Sequence, residues 1–583
     1  MSTEPEGSPA ASEPKPSPLV DDKSCQEHSD NAVGTSVKLP GVLKMEAFDS
    51  ELKLWERCFL FASIFLVGYA FGLDALVRGT YQAYATSSYA QHSLLSTINV
   101  IRGVIAAVVQ PMVAKLSDQV GRLELFLVVT VFYVVGSIIE TCALSVQTFS
   151  AGALLYQIGY TCTLLIFEII IADITSIRSR VFFVFVPNMP YLINTWVSGN
   201  VASAVLTTTT WQWGIGMWCI IYPVATIPFI TIMAIVGRRA NKKLAKHAKS
   251  GKGWARTAHE MFWKLDVVGL LLLTAALSMT LIPLTLAGGE NKKWRTAGIL
   301  TPLILGILLF PVFAVWEANA THPLMPLYLL RNRGIWAAMG TAVFMTFSWY
   351  TQADFLYTVL LVAFDFSIDA ATRVASVYAF CAVVGGVSLG LIIMRVRRLK
   401  PFILGGISLW LAAYGMLYHY RGSTDGSSRS GVIAGQVLLG LAGGFFPYPN
   451  LAIAQAVSKH EDVGIITSLM LTMNNVGMAL GGCVSGAIWT QTLYDQLQAD
   501  LAPNSTLAAS VYASPLYVVP NYPVGTVERT AIIHSYRYIQ RLLAITGMCL
   551  VVPMLAFALC LPNLKLPNHK ARNAIEESSE PKQ

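Results

Sequence analysis

Charged residues are scarce in this sequence: they make up 13% of its 583 positions, whereas soluble proteins carry about 25%. Hydrophobic residues reach 54%, and they form runs of about 20 residues, the length at which a helix crosses roughly 30 Å of hydrocarbon. This composition excludes a soluble fold. It predicts an all-α, polytopic membrane protein embedded in a lipid bilayer.

Signatures of catalysis and metal binding are also missing. The sequence has no Walker A motif and no HExxH motif, and its nine cysteines form no CxxC pair. No apolar run carries a His or Cys cluster with metal-ligand spacing. We therefore expect no enzymatic activity, no disulfide scaffold, no metal site and no bound cofactor.

The net charge of +8 does not indicate a nucleic-acid partner, because the basic residues lie in short segments between apolar runs. Such segments are typical of cytoplasmic loops. One set of alternate loops holds most of the lysines and arginines, including those from Arg238 to Lys264. With an even number of spans, both termini are then predicted to be cytoplasmic.

The apolar runs predict fourteen transmembrane helices, grouped as six, two and six. The predicted spans are residues 58–78, 93–114, 125–145, 149–172, 183–206, 215–236, 266–287, 297–316, 335–357, 371–394, 401–420, 431–456, 463–489 and 541–562. Paired helical bundles are typical of alternating-access transporters, which hold the substrate near the midplane between two rocking halves.

The spans define the predicted domains. These are a disordered cytosolic tail over 1–57, an N-terminal six-helix bundle over 58–236, a basic cytoplasmic loop over 237–265, a two-helix insert over 266–316, a C-terminal six-helix bundle over 335–562 and a cytosolic tail over 563–583. Within the second bundle, residues 490–540 form a predicted extracellular loop. A loop of this length is more often functional than a plain connector.

Ionisable groups inside spans cost roughly 2.5–3.5 kcal/mol each at the bilayer centre, so each one is a candidate for function. Asp74 shares a helix face with Arg78 in the first span. It could carry a proton, or it could form a structural ion pair, for example with Arg102 of the second span. Arg102 lies too deep for easy snorkelling, which favours a role in the substrate cavity over packing.

The fourth span aligns Gln157, Thr161 and Glu168 on one face. Desolvation lets a buried carboxylic acid bind and release a proton as its exposure changes, so Glu168 is our first candidate for proton coupling. The alternative is a structural bond to a neighbouring helix end. Gln157 and Thr161 are candidate cavity residues.

Two corresponding spans carry matching polar faces, which predicts two walls of one cavity. Tyr191 and Asn194 lie on the fifth span, and Thr472 and Asn475 lie on the thirteenth. On the ninth span, Tyr350 and Asp354 share a face that combines aromatic surface with a carboxylate. That face could bind substrate or could simply pack.

The turn after the second span, Ala114 to Arg122, resembles the GxxxDxxGR/K signature of the major facilitator superfamily. Gly121 permits a tight turn. Asp118 and Arg122 could form charged contacts between helix ends that close an inner gate and break in each cycle. The alternative is a charged turn that only fixes topology. The superfamily's third span is usually peripheral, so Glu140 ranks below Glu168.

Further stretches resemble fungal siderophore-iron transporters, and the likeness runs from about residue 50 to 560. They are Lys115 to Asp118 with Gly121 to Glu124, Tyr156 to Tyr160, Asn194 to Gly199, Ser485 to Thr490, and Ser535 to Arg537 in the last outer loop. This resemblance implies a symporter that imports ferric siderophores with protons. We expect hydroxamate chelates as substrates and a monomer at the plasma membrane, with cycling through endosomal vesicles as an alternative.

The same resemblance makes Tyr536 and Arg537 candidates for substrate capture at the outer surface. The sequon at Asn504 lies in the predicted extracellular loop, where it could be glycosylated. Two other readings stay open at this point. One is a fourteen-span, proton-coupled exporter of drugs or conjugates, and the other is a non-transporting sensor with a transporter fold.

Overall fold

A computed structural model describes residues 40–175, 183, 185–244, 254–287, 293–321, 323–396, 398–458 and 463–564 of the chain. Most of the two predicted tails and the middle of the basic loop therefore lie outside the described residues. The described part consists of α-helices joined by short turns, and each half of the chain buries its own hydrophobic core.

The N-terminal half follows most of the predicted spans, because most of its helices are nearly continuous apolar runs. Its helices are α1 Pro40–Glu51, α2 Leu54–Ser88, α3 Leu95–Val120, α4 Arg122–Thr141, α5 Val146–Ile174, α6 Tyr191–Thr208, α7 Trp211–Gly216 and α8 Trp218–Leu244.

Helix α1 shows that residues 40–51 are helical although they belong to the tail predicted to be disordered; residues 1–39 of that tail lie outside the described residues. It packs against α3 and α8, and it buries Met45 and Phe48 in the core of the N-terminal half. Two well-spaced apolar side chains are enough to hold this helix, although the segment has no long hydrophobic run.

A short helix, α9 Trp254–Lys264, precedes the two-helix insert, α10 Val267–Leu286 and α11 Ala297–Asn319. The two insert helices pack against each other, and α10 also contacts α3 and α18 (Val463–Asp500) of the C-terminal half. Leu277 and Leu281 of α10 share a small apolar cluster with Val104 and Ala479. The insert therefore covers one seam between the halves.

The C-terminal half contains two broken helices. Its helices are α12 Arg333–Ala353, α13 Leu356–Val362, α14 Ile368–Val396, α15 Lys400–His419, α16 Gly426–Phe445, α17 Pro447–Ala456, α18 Val463–Asp500, α19 Ser505–Ala513, α20 Pro515–Val518 and α21 Val527–Cys560. The ninth predicted span breaks between α12 and α13, at Asp354 and Phe355, and the twelfth breaks between α16 and α17, at Phe446.

The predicted extracellular loop is mostly helical. Helix α18 continues to Asp500, α21 begins at Val527, and α19 and α20 fill most of the segment between them. The segment 490–540 is therefore not an open loop, and its extracellular location stays a prediction. The sequence stays helical through this segment because Leu493 and Leu497, one turn apart, continue to pack into the core.

Twelve segments of the described chain are long and apolar enough to span a membrane. Helices α6 and α12 occupy the places of the fifth and ninth predicted spans, but they carry more polar residues and are not among the twelve. The all-α, multi-span fold is confirmed. The count of fourteen spans and the cytoplasmic termini stay predictions.

Candidate functional site

Four charged side chains of the N-terminal half meet in a fully enclosed cluster. Arg78 of α2 forms a two-pronged contact with Asp74, with its Nε and Nη2 atoms 3.0 and 2.9 Å from the carboxylate oxygens, and its Nη1 atom contacts Glu140 of α4. Arg102 of α3 approaches the other Glu140 oxygen at 2.9 Å. The two positive and two negative charges cancel, which offsets the desolvation of each group.

This cluster corrects two expectations. Arg102 pairs with Glu140 and not with Asp74, because the Asp74 oxygens are occupied by Arg78 and by the hydroxyl of Tyr133. Glu140 is not peripheral: it is 0% exposed and bridges both arginines. The sequence signal was a carboxylate within an apolar span, which requires a buried partner.

A chain of hydrogen bonds continues from this cluster into the C-terminal half. Arg102 donates to Gln82 Oε1 at 2.5 Å, Gln82 Nε2 donates to Asn99 Oδ1 at 3.1 Å, and Asn99 Nδ2 donates to Asp354 Oδ1 at 3.1 Å. Ser485 Oγ of α18 donates to the other Asp354 oxygen at 2.8 Å. Two predicted cavity residues, Arg102 and Asp354, thus belong to one network that crosses between the halves.

The predicted residues of α5 and α6 form hydrogen bonds within the N-terminal half. Gln157 donates to Thr161 at 2.8 Å, and the hydroxyls of Tyr160 and Tyr191 lie 3.2 Å apart. Asn194 donates to the carbonyl of Tyr69 at 3.1 Å. Its side-chain oxygen is buried without a partner among the described residues.

In the C-terminal half, Asn475 donates across the halves to Gln110 Oε1 of α3 at 2.8 Å. Thr472 presents a buried hydroxyl with no partner in the described part of the chain. The ring of Tyr350 packs edge-on against that of Trp349, with 4.5 Å between their centroids. Helix α6 contacts α14 and helix α18 contacts α3, so the two predicted cavity walls lie on two different seams between the halves.

Glu168 lies near the end of α5 and is only partly buried. The structure shows no hydrogen bond or ion pair to its carboxyl within the residues that it describes. Glu168 therefore differs from Asp74 and Glu140, whose carboxylates are held by guanidinium groups.

The turn between α3 and α4 brings the charged residues of the predicted inner gate together within the N-terminal half, and their role as a gate stays a prediction. Arg122 bonds Asp118 at 2.8 Å and Asp173 of α5 at 3.1 Å, so one side chain joins three helices. Gly121 has a φ of +129°, a backbone conformation that favours glycine. Lys44 of α1 adds a contact from outside the motif, at 3.0 Å from Glu124.

The halves also contact each other at the end that carries the 490–540 segment. His92 is fully buried there: its Nδ1 atom lies 3.1 Å from Ser87 Oγ and its Nε2 atom 2.9 Å from Thr358 Oγ1 of α13. Ser514 donates to the carbonyl of Ser87 at 2.7 Å. These bonds join the N-terminal half to the C-terminal half at this end.

A cavity of about 590 Å³ lies beside these contacts. Its lining residues come from both halves: Tyr84, Ser87, Ser88, Ala90, Leu206, Thr209, Thr210, Trp211, Gln212, Ser514 and Tyr517. The rings of Tyr84 and Tyr517 pack edge-on at 5.9 Å across its mouth. This mixture of aromatic rings and hydroxyls suits a bulky, weakly charged ligand.

The predicted capture residues lie elsewhere. Tyr536 is fully buried within α21, where its ring packs against that of Trp489 at 5.5 Å, so it is not on an exposed loop. Arg537 is exposed on the same helix. Asn504 is exposed just before α19, where its side-chain oxygen accepts a hydrogen bond from the amide of Leu507 at 3.0 Å.

Comparison with known proteins places this architecture in a family. The model of the Major Facilitator Superfamily matches residues 337–495. A peptide transporter solved in complex with alafosfalin shares the fold, with a TM-score of 0.54 at 12% identity over 86% of this chain and 96% of that chain.

Sequence relatives are much more similar. Siderophore iron transporter 1 of Saccharomyces cerevisiae is 44% identical over 88% of this chain and 82% of its own length. Siderophore iron transporter ARN1 of the same yeast is 40% identical over 90% of this chain and 84% of its own length. The resemblance found in the sequence is confirmed, and the chain belongs to the siderophore iron transporter family of the major facilitator superfamily.

Proposed function

We propose that this protein imports ferric siderophores across a membrane by alternating access, driven by proton entry. The observation that carries the proposal is 44% identity, over most of both chains, to a relative named as a siderophore iron transporter. The fold supports it, since two helical halves meet along seams that contain polar side chains.

The chemistry of the interior fits a weakly charged chelate of hydroxamate type. The charges of the buried cluster cancel, and two of the polar atoms that are buried without a partner among the described residues, the Asn194 carbonyl oxygen and the Thr472 hydroxyl, are neutral. A siderophore supplies its own iron ligands. Within the described residues, no three His, Cys, Asp or Glu side chains are placed to hold a metal ion.

The transport cycle that we propose exchanges two sets of contacts. The bonds from His92 to Thr358 and from Ser514 to Ser87 close the outer end. They must break when the outer end opens to admit the chelate from the cavity at Tyr84 and Tyr517. The Asp118–Arg122 contact at the other end then serves as the inner gate.

Proton coupling is a further part of the proposal, with Glu168 as the first candidate. Its carboxyl is partly exposed, so a change in its surroundings can change its protonation. Asp74 is a weaker candidate because its two oxygens are held by Arg78 and Tyr133. We place the protein at the plasma membrane as a monomer, with Asn504 as a glycosylation site on the outer face.

The decisive experiment measures uptake of radioactive iron as ferrichrome, coprogen-type and ferrioxamine chelates in cells that lack their own siderophore carriers. We expect accumulation of at least one chelate and its collapse when a protonophore is added. If no chelate accumulates in cells that display the protein at their surface, the proposal that the protein imports ferric siderophores is wrong. Outward transport of a drug or conjugate in the same cells would then favour the exporter.

A further inference from the structure

Asp354 differs from the other buried carboxyls of the interior in the partners that it has. Its oxygens accept hydrogen bonds from two neutral groups, the amide of Asn99 and the hydroxyl of Ser485. By contrast, Asp74 and Glu140 each contact a guanidinium group. In the part of the chain that the structure describes, no lysine or arginine forms an ion pair with Asp354.

These partners allow two protonation states. A carboxylate held by a guanidinium group stays ionised, because its protonation would leave a buried cation uncompensated. When Asp354 is ionised, Asn99 and Ser485 donate to it. When it is protonated, its own hydroxyl can donate to Ser485 Oγ, since a hydroxyl can both donate and accept. The ionised state is stabilised by hydrogen bonds from two neutral donors, Asn99 and Ser485, and the protonated state carries no charge.

The position of Asp354 has two consequences. A proton can reach its carboxyl, and a change at the carboxyl affects a contact between the halves. It lies at the break between α12 and α13, and both Asp354 and Asn99 are only partly buried, whereas Asp74 and Glu140 are 0% exposed. The bond from Asn99 to Asp354 crosses from one half to the other. A change at Asp354 therefore acts directly on a contact that alternating access must break.

The titratable and charged groups around Asp354 come from three elements. Tyr350 lies one turn earlier on α12. Arg102 of α3 reaches it through Gln82 and Asn99. The ring of His92 packs at 6.2 Å from that of Phe355, the next residue in the chain. The adjoining part of α18 contributes Ser485 and Gly482, neither of which titrates.

We propose that Asp354 carries a proton in the transport cycle and that its bond to Asn99 links protonation to the separation of the halves. This inference rests on the proposed proton-driven import. It adds a second proton-carrying group, in the C-terminal half, to Glu168 in the N-terminal half.

The test compares two measurements on Asp354→Asn in cells that display it at wild-type level. The first is accumulation of the radioactive ferric chelate against its gradient, and the second is exchange of internal for external chelate at equal concentration, which needs no net proton movement. We expect accumulation to fall more than tenfold while exchange stays within twofold of wild type. Because Glu168 is unchanged in this variant, the loss of accumulation cannot be attributed to Glu168.

Two matched variants separate proton transfer from local packing. Thr490→Ala removes a hydroxyl of the same helix α18 that donates to the Gly486 carbonyl and leaves the Asp354 hydrogen bonds in place, and we expect it to accumulate chelate. Asp354→Glu restores an acid, and we expect it to recover part of the accumulation lost in Asp354→Asn. Gradient-driven accumulation by Asp354→Asn would overturn the inference, and so would parallel loss of accumulation and exchange with no rescue by glutamate. A wild-type protein insensitive to protonophore would instead overturn proton coupling itself.

Discussion

Two arginines of the N-terminal half share one carboxylate, that of Glu140, which balances positive charge inside the bundle. Glu140 accepts hydrogen bonds from Arg78 and Arg102 with separate oxygens. Arg78 also lies over the ring of Tyr156, with its guanidinium carbon 3.6 Å from the ring centroid. Removing one partner of a buried ion pair typically costs about 3–5 kcal/mol, because the remaining charge is left without compensation.

We therefore expect Glu140→Gln to be strongly destabilising, by about 3 kcal/mol or more. The double variant Glu140→Gln with Arg102→Gln should recover part of this loss, because it removes one positive charge with the negative one. Thermal unfolding of the purified proteins in detergent measures both effects. Equal melting temperatures for the wild type and Glu140→Gln would contradict the role of Glu140 as a shared counter-ion.

Glu168→Gln tests the first proton-coupling candidate. We expect it to abolish protonophore-sensitive accumulation of chelate and to leave surface binding largely intact, because glutamine keeps the size of the side chain and cannot exchange a proton. Filter binding and uptake on the same cells separate the two properties. Accumulation at the wild-type level in this variant would remove Glu168 from the mechanism.

At the scale of whole elements, α1 contacts the turn of the proposed inner gate from outside the helical bundle. Lys44 donates to the carbonyl of Val120 at the end of α3 and pairs with Glu124 at the start of α4, both at 3.0 Å. A cation at the C-terminal end of a helix is favourable. The same element buries Phe48 beneath the bundle.

The two sides of α1 should respond differently to substitution. Phe48→Ala is expected to cost about 3–5 kcal/mol, since it empties a buried site, and Lys44→Ala about 1 kcal/mol or less, since its ion pair with Glu124 is exposed. Limited proteolysis of the segment 40–51, with thermal unfolding of the same samples, tests this order. Similar protection of α1 in the wild type and Phe48→Ala would show that Phe48 does not anchor it.

Most of the helices could be predicted from the sequence, because a bilayer demands long apolar runs. The errors occur where packing within the protein replaces contact with lipid. Segment 40–51 folds through two apolar residues, and α18 runs on to Asp500 because its leucines still meet the core. The partners of Glu140 and Asp354 lie on helices that are distant in sequence, and no local pattern could pair them.

At the scale of the whole molecule, the structure is closed at one end by contacts between the halves. The Ser514 hydroxyl lies 2.7 Å from the Ser87 carbonyl oxygen, so the backbones of α2 and the α19–α20 segment are close. The proposed cycle requires these backbones to separate.

Joining Ser87→Cys and Ser514→Cys with a short thiol cross-linker should therefore stop uptake of the chelate, and a cleavable cross-linker should allow recovery after cleavage. Each single-cysteine variant treated in the same way controls for the native cysteines. Full uptake by the cross-linked double variant would mean that this end of the molecule does not open during transport.

The insert gives the molecule two unlike edges. Along one edge, α10 covers the seam between α3 and α18, with Thr97 donating to Thr285 at 3.1 Å. Along the seam between α6 and α14, Trp196 packs edge-on against Phe380 and is 54% exposed. Lipid acyl chains therefore contact α10 on one flank and the α6–α14 seam, which has to move in the proposed cycle, on the other. Membrane thickness and composition should affect the two flanks unequally.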